Sequence, residues 1–162
     1  RTLRPAEIFF VPNNEENEQK LAALFKEMSG ISELNPGISI IHGREIPHKA
    51  QSERAIWFDF RALCFGPRSQ ADYLYLAEHY EMVFLSGLER LTPQEKAEAR
   101  RLTWLIDVLY DFRVKLCATS AVGVNDIYVE GDFAEEFTRT ASRMVEMQSE
   151  VYLEQPHLTL SK

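Results

Sequence analysis

A chain of 162 residues that is 45% hydrophobic can bury the core of one globular domain, and its formal net charge of −7 argues against a dominant nucleic-acid surface, which is usually basic. No apolar run approaches the ~18 residues of a membrane span, and no signal peptide or lipidation motif is visible. The two cysteines, Cys64 and Cys117, lie in apolar stretches and read as reduced core residues of a cytosolic or matrix protein.

The chain opens Arg1-Thr2-Leu3 without a methionine, as a piece of something longer would. Ala6-Glu7-Ile8-Phe9-Phe10-Val11 is strand-like, and Pro12 ends it. Asn13 or Asn14 caps a helix whose Leu21, Leu24, Phe25 and Met28 form one apolar stripe, with Gly30 just past its end. After Asn35-Pro36-Gly37 come two strand-like segments, Ile38-Ser39-Ile40-Ile41 and Ala55-Ile56-Trp57-Phe58-Asp59-Phe60, joined by a polar span. Their spacing predicts an antiparallel hairpin over 38–60, added on to the main layer. Phe60 to Cys64 has room for one helical turn. Ser69-Gln70-Ala71-Asp72 is a hydroxyl-and-acid capping box for a helix to about His79, with Tyr73, Leu74 and Leu76 as its apolar part.

The stretch from Tyr80 to Ser120 reads as strand, helix and strand. Met82-Val83-Phe84-Leu85 is a short unbroken apolar run of the kind buried on both faces. Thr92-Pro93-Gln94-Glu95 predicts a helix start, with a hydroxyl cap, Pro at the first helical position and Glu at the third. Leu102, Leu105, Ile106 and Leu109 fall at i, i+3, i+4 and i+7, one stripe against a sheet. Val114 to Thr119 returns as the second strand, and a helical crossover of this length makes the two parallel. Asp132-Phe133-Ala134-Glu135 then starts a last helix carrying Phe133, Phe137, Ala141, Met144 and Gln148 down one face. The expected class is α/β: a layered sheet with a parallel β-α-β core over 81–120, the antiparallel hairpin over 38–60 and flanking helices, in one domain over 1–162.

None of the seven glycines is followed by lysine, so there is no G-x-x-x-x-G-K-[ST] loop to cradle phosphates. The four histidines, 42, 48, 79 and 157, never fall at zinc-site spacing, so no metal is expected. No G-x-S-x-G elbow nominates a nucleophile. Two basic clusters remain. Arg100 and Arg101 point about 100° apart on their helix, so they are either a solvated face beside Glu95 and Glu98 or one edge of a cleft. Arg139 and Arg143 lie one turn apart, within reach of Glu135, Glu136 and Glu146, so they are either paired along the helix or aimed at a phosphate or a neighbouring subunit. Asp107 and Asp111, one turn apart, are a carboxylate pair or the partners of nearby cations.

The run Leu63-Cys64, Pro67-Arg68-Ser69-Gln70-Ala71-Asp72-Tyr73, then Ala99-Arg100-Arg101-Leu102 with Leu105-Ile106-Asp107 and Leu109-Tyr110-Asp111, resembles the C-terminal half of the ZapE cell-division ATPases and their mitochondrial AFG-type relatives. Phe137-Thr138-Arg139-Thr140-Ala141-Ser142-Arg143-Met144, followed by Glu146 to Glu150 and Tyr152-Leu153, resembles that family's ending. The resemblance implies an AAA+ P-loop ATPase that uses ATP and Mg. In bacteria it would act in the cytoplasm, at the division site, on the tubulin-like division protein. It further implies a homo-oligomer, and that the phosphate- and metal-binding segments lie upstream, so this stretch alone would not hydrolyse ATP. Arg100, Arg101, Arg139 and Arg143 are then the candidates for nucleotide or subunit contact, supported by Asp107, Tyr110, Asp111 and Glu146; no catalytic or metal residue is named.

The 81–120 unit also has the layout of a Walker B strand, helix and sensor strand, ending in Ala118-Thr119-Ser120. Ser86 and Gly87 stand where the two acids would be, so such a unit holds no Mg²⁺ and polarises no water. Either it is a catalytically silent α/β unit packed beside the active one, or the layout is coincidental α/β grammar. A reading of another class makes the chain an interaction module that binds the division protein or another client through the 38–60 hairpin and the final helix.

Overall fold

The computed structural model describes residues 1–159. Five strands form the main sheet, in the spatial order β1 (Phe9–Phe10), β7 (Lys115–Ser120), β6 (Met82–Leu88), β5 (Ala55–Asp59) and β4 (Ala50–Gln51). The first four are mutually parallel, and β4 runs antiparallel to β5. β6 and β7 are therefore adjacent parallel neighbours, as the 81–120 unit requires. Val83 lies opposite Leu116 on one side and Ile56 on the other.

Both faces of this sheet are covered. α1 (Glu15–Ser29) starts where the Asn14 side chain accepts a hydrogen bond from the Asn17 N–H, and it ends at Gly30 in the left-handed region, φ 81°. Its Phe25 ring sits 4.9 Å from Phe84 and 5.8 Å from Trp57, so α1 covers the face that bears those two rings. Val83 and Leu85 alternate with Phe84 and point the other way. Against that face lie α2 (Phe60–Cys64), α3 (Gln70–His79) and α4 (Lys96–Asp111), whose stripe Leu102, Leu105, Ile106 and Leu109 is fully buried. α4 packs between α3 and α5 (Ala134–Glu146). A short α6 (Glu150–Glu154) closes the lower end, its Tyr152 hydroxyl donating to the carbonyls of Val114 and Leu109 at 2.7 and 3.1 Å.

The hairpin is where the expectation needs correcting. β2 (Gly37–Ile41), the expected first strand, pairs antiparallel with β3 (Arg44–His48), which lies inside the span read as a polar connection, and the two form a separate two-stranded sheet. The turn is His42-Gly43, both at positive φ, 50° and 80°, the geometry of a tight two-residue hairpin. β3 hides its alternation because only Ile46 and His48 face inward, and one of them is polar. Ala55 to Phe58, read as the hairpin's second strand, is buried at four successive positions and joins the main sheet parallel to β6. Arg44 ties the turn of the hairpin to α3 through the buried Asp72 at 2.9 Å.

Helix starts also shift. The Ser69 box forms in full, with the hydroxyl accepting from the Asp72 N–H and Asp72 from the Ser69 N–H. At Thr92 only half forms: the Thr92 N–H donates to Glu95 at 2.8 Å, the segment makes a turn, and α4 begins at Lys96 without a side-chain cap. α5 likewise begins after Phe133, two residues beyond Asp132, with no side-chain cap.

Candidate functional site

Two places in this fold concentrate polar chemistry. The first lies at the carboxyl ends of the parallel strands, the crevice where open α/β sheets bind their ligands. β6 carries Ser86 and Gly87 just before its last residue, Leu88, and β7 ends in Thr119 and Ser120. Into this crevice α1 places the Glu18 carboxylate, which accepts from the Ser86 hydroxyl at 2.7 Å and the Thr119 hydroxyl at 2.5 Å. Ser86 and Thr119 are themselves buried and held, Ser86 by the Trp57 indole N–H at 2.8 Å and Thr119 by the Gly87 N–H at 3.0 Å. The Lys49 ammonium stands 3.8 Å from Glu18 and 3.9 Å from Asp59, 4.9 Å over the Trp57 ring. The crevice is thus furnished with an internal carboxylate where a phosphate-binding fold would leave an anion site. Sequence reasoning missed Glu18 because its partners lie 68 and 101 residues away.

The second place is the outer surface of α4 and α5, where the eight residues singled out from sequence lie. They divide by partner. Arg143 pairs with Asp107 at 2.6 Å across the two helices and lies 4.8 Å over the Tyr110 ring. The Tyr110 hydroxyl donates in turn to Glu146 at 2.7 Å, and that bond raises the phenol's pKa. These four form one joint between α4 and α5, completed by the Thr103 and Thr140 hydroxyls 2.8 Å apart. Arg143 therefore has a partner on the neighbouring helix rather than one along its own.

Arg101 turns inward, donating to the Cys64 carbonyl at 3.2 Å and pairing with Glu98 at 3.5 Å. Arg100, one residue earlier, points out with its guanidinium 5.4 Å from the Phe133 ring. Arg139 and Asp111 are exposed and make no ion pair among the described residues. Arg100 and Arg139 share the wall of a groove of about 300 Å³ between α4 and α5, with Trp104 and Glu136. Around the start of α4 a second hollow of about 460 Å³ is walled by Arg68, Lys96, Arg100, Arg101 and Trp104. Arg68, Lys96 and Trp104 were not singled out from the sequence. The signal available was Trp104 itself, a large apolar residue off the buried stripe.

Burial pushes the Cys64 thiol up to about 12 and Cys117 higher still, so both are inert, free thiols. Among the described residues no three His, Cys, Asp or Glu side chains gather as a metal site, and no helix is long and apolar enough to cross a membrane.

The stretches 67–73, 99–111 and 137–148, on which the resemblance rests, converge on this second place, where Gln70, Arg100, Asp107, Arg139 and Thr140 line one groove. Residues 1–156 match the AFG1-like ATPase family. The chain is 32% identical to the cell division protein ZapE of Escherichia coli (strain K12) over 158 residues, 98% of this chain and 42% of that protein. It is 39% identical over 88 residues to an uncharacterized protein of Schizosaccharomyces pombe, covering 54% of this chain and 19% of the other. Lactation elevated protein 1 homolog B of Danio rerio is 24% identical over 187 residues, covering 94% of this chain and 37% of its own length. The chain spans less than half the length of these curated relatives. No solved structure matches it.

Proposed function

The chain belongs to the AFG1-like ATPase family, and on that premise we propose that it is the non-catalytic C-terminal region of an AAA+ ATPase serving bacterial cell division. ATP and Mg would be held by the portion of the relatives that these 162 residues do not span. The observation that carries this reading is the Glu18 carboxylate in the crevice of the parallel sheet. A negative charge fixed there repels a phosphate chain, and Ser86 and Gly87 offer no acid to hold Mg²⁺ or to position water. The unit keeps the layout of an ATP-binding fold and lacks its chemistry.

Arg100 and Arg139 line one open groove, which supports a role for them in meeting a neighbouring protomer, its nucleotide or the rest of their own chain. The whole protein would work in the cytoplasm at the division site. The test is phosphate release from Mg-ATP. The 162-residue chain should release none, and Arg100→Ala in the full-length protein should lower its turnover several-fold without unfolding it. Turnover by the chain alone, above a Glu18→Ala control, would overturn the reading.

One observation favours a client-binding role as well. The β2-β3 hairpin leaves Ile38 57% and Ile40 68% exposed on its outer side. Paired exposed isoleucines on an edge hairpin suit a protein contact, and the tubulin-like division protein is the first client to test. Ile38→Ser with Ile40→Ser should abolish co-sedimentation with its polymers; unchanged co-sedimentation would remove the hairpin from the contact.

A further inference from the structure

The β2-β3 hairpin brings a serine and a histidine together on its inward side. The register sets Gly37 opposite His48 and Ser39 opposite Ile46, so all four residues share one face. The Ser39 hydroxyl and His48 Nδ1, diagonal neighbours across the ladder, stand 2.7 Å apart. That lies inside the about 2.6–3.2 Å reach of a nucleophile and its base. His48 is buried, whereas Ser39 is half-buried and forms part of the wall of a hollow of about 220 Å³, with Gln51, Tyr75, Leu76 and Tyr80.

The imidazole is oriented as a base has to be. With Nδ1 accepting from Ser39, its proton sits on Nε2. Gly37 leaves room for that edge of the ring, since a Cβ there would come 3.0 Å from Nε2. The Asn35 backbone carbonyl favours the protonated ring. Asn35 is itself fixed by two bonds to the Gln51 backbone, its amide donating to the carbonyl at 2.9 Å and its side-chain oxygen accepting from the N–H at 2.8 Å. Burial pushes His48 below its ordinary value, so at neutral pH the ring is unprotonated and free to take a proton. A hydroxyl, a histidine and a held acceptor in series are what make a serine nucleophilic on unrelated folds. The Gln51 amide also donates to the Tyr80 hydroxyl at 3.2 Å, and the phenol keeps its own proton as a donor for a developing oxyanion.

We propose that Ser39 and His48 form an acyl-transfer site for short-chain carboxylic esters. The hollow is smaller than the about 300–1,000 Å³ of drug-sized ligand sites, which limits the acyl group to a few carbons. Ser39 Oγ bonds the acyl carbon as its proton passes to His48 Nδ1. The bond from that carbon to the alcohol oxygen breaks, and the alcohol leaves with the electron pair and the proton that His48 returns. Water, giving its proton to His48, then cleaves the Ser39 ester, and the hydroxyl is restored. The activity goes beyond the ATPase reading and needs no nucleotide, so absent ATP turnover leaves it untouched.

Labelling with a fluorophosphonate, in which a bond forms between Ser39 Oγ and phosphorus and fluoride leaves, tests it, with the adduct placed by peptide mass mapping. An adduct on Ser39 is expected, and none at that position in Ser39→Ala. Labelling should slow about 100-fold or more in His48→Gln. In wild type it should slow as pH falls through a value below 6.5, where His48 takes up a proton. Circular dichroism and melting curves establish that the variants fold. A second readout needs no histidine variant: p-nitrophenyl acetate should release a burst of about one equivalent of p-nitrophenolate per chain and leave an acetyl group on Ser39. A chain that the fluorophosphonate leaves unmodified at Ser39 overturns the proposal. So does a His48→Gln variant labelled there at the wild-type rate, or a burst that leaves no acetyl group on Ser39.

Discussion

Removing the Glu18 carboxylate tests its hold on the strand ends directly. In Glu18→Ala the buried hydroxyls of Ser86 and Thr119 each lose an ionised acceptor. A hydrogen bond to a charged group contributes about 1.5–3 kcal/mol, so the two together set an upper value of about 3–6 kcal/mol. The Glu18 side chain is 24% exposed, so water reaches the vacated place and satisfies part of the demand. Lys49, 3.8 Å away and itself 36% exposed, adds little. The net expectation is a loss of about 2–3 kcal/mol, and Glu18→Gln, which keeps one acceptor oxygen, should lose about half as much. Urea unfolding followed by tryptophan fluorescence measures this, because the Trp57 indole is bonded to Ser86. In a melt, the alanine variant should fall by about 5–10 °C for a domain of this size. A change below about 0.5 kcal/mol for Glu18→Ala, the range of ordinary surface substitutions, would refute the argument by making Glu18 a solvated side chain that holds neither hydroxyl.

Three further outcomes follow from the geometry. Burial pushes His48 below its ordinary value near 6.5, so the unfolded chain takes up a proton that the folded one resists. Stability should therefore fall as pH drops through that value, and urea midpoints at about pH 8 and about pH 5 should differ less in His48→Gln than in wild type. Arg143→Ala should cost about 1 kcal/mol, given side chains 22% and 38% exposed, and a double-mutant cycle with Asp107→Asn should recover most of it as coupling; zero coupling would show that the pair is not formed. The Tyr128 hydroxyl is buried with no partner among the described residues, so Tyr128→Phe should be neutral or stabilise by up to about 1 kcal/mol; a clear loss in the melting temperature would contradict this.

The sheet's centre was legible because local pattern and tertiary position agree there. Met82 to Leu85 is apolar without a break because both faces are covered, and Asn14, Gly30 and Ser69 mark helix ends through bonds within three or four residues. The hairpin was misjudged because β3 buries a histidine at one of its two inward positions, so period-two alternation disappears from the composition. The start of α4 shifted because Glu95 bonds back to Thr92 without the hydroxyl's answer, which makes a turn instead of a first helical turn. Of the residues named on α4 and α5, Arg101 keeps the Glu98 partner that spacing offers, and the other contacts cross between elements. Arg143 crosses to Asp107, 36 residues away, and Arg101 reaches the Cys64 carbonyl, 37 away. Such pairings depend on how helices pack, which no single helix encodes.

The proposed non-catalytic role rests on the Glu18 carboxylate that meets Ser86 and Thr119 near the carboxyl ends of β6 and β7. Calorimetric titration of Mg-ATP into the 162-residue chain measures whether that carboxylate leaves room for a phosphate chain. No saturable heat of binding is expected. Saturable one-to-one binding that displaces Glu18 from Ser86 and Thr119 would contradict it.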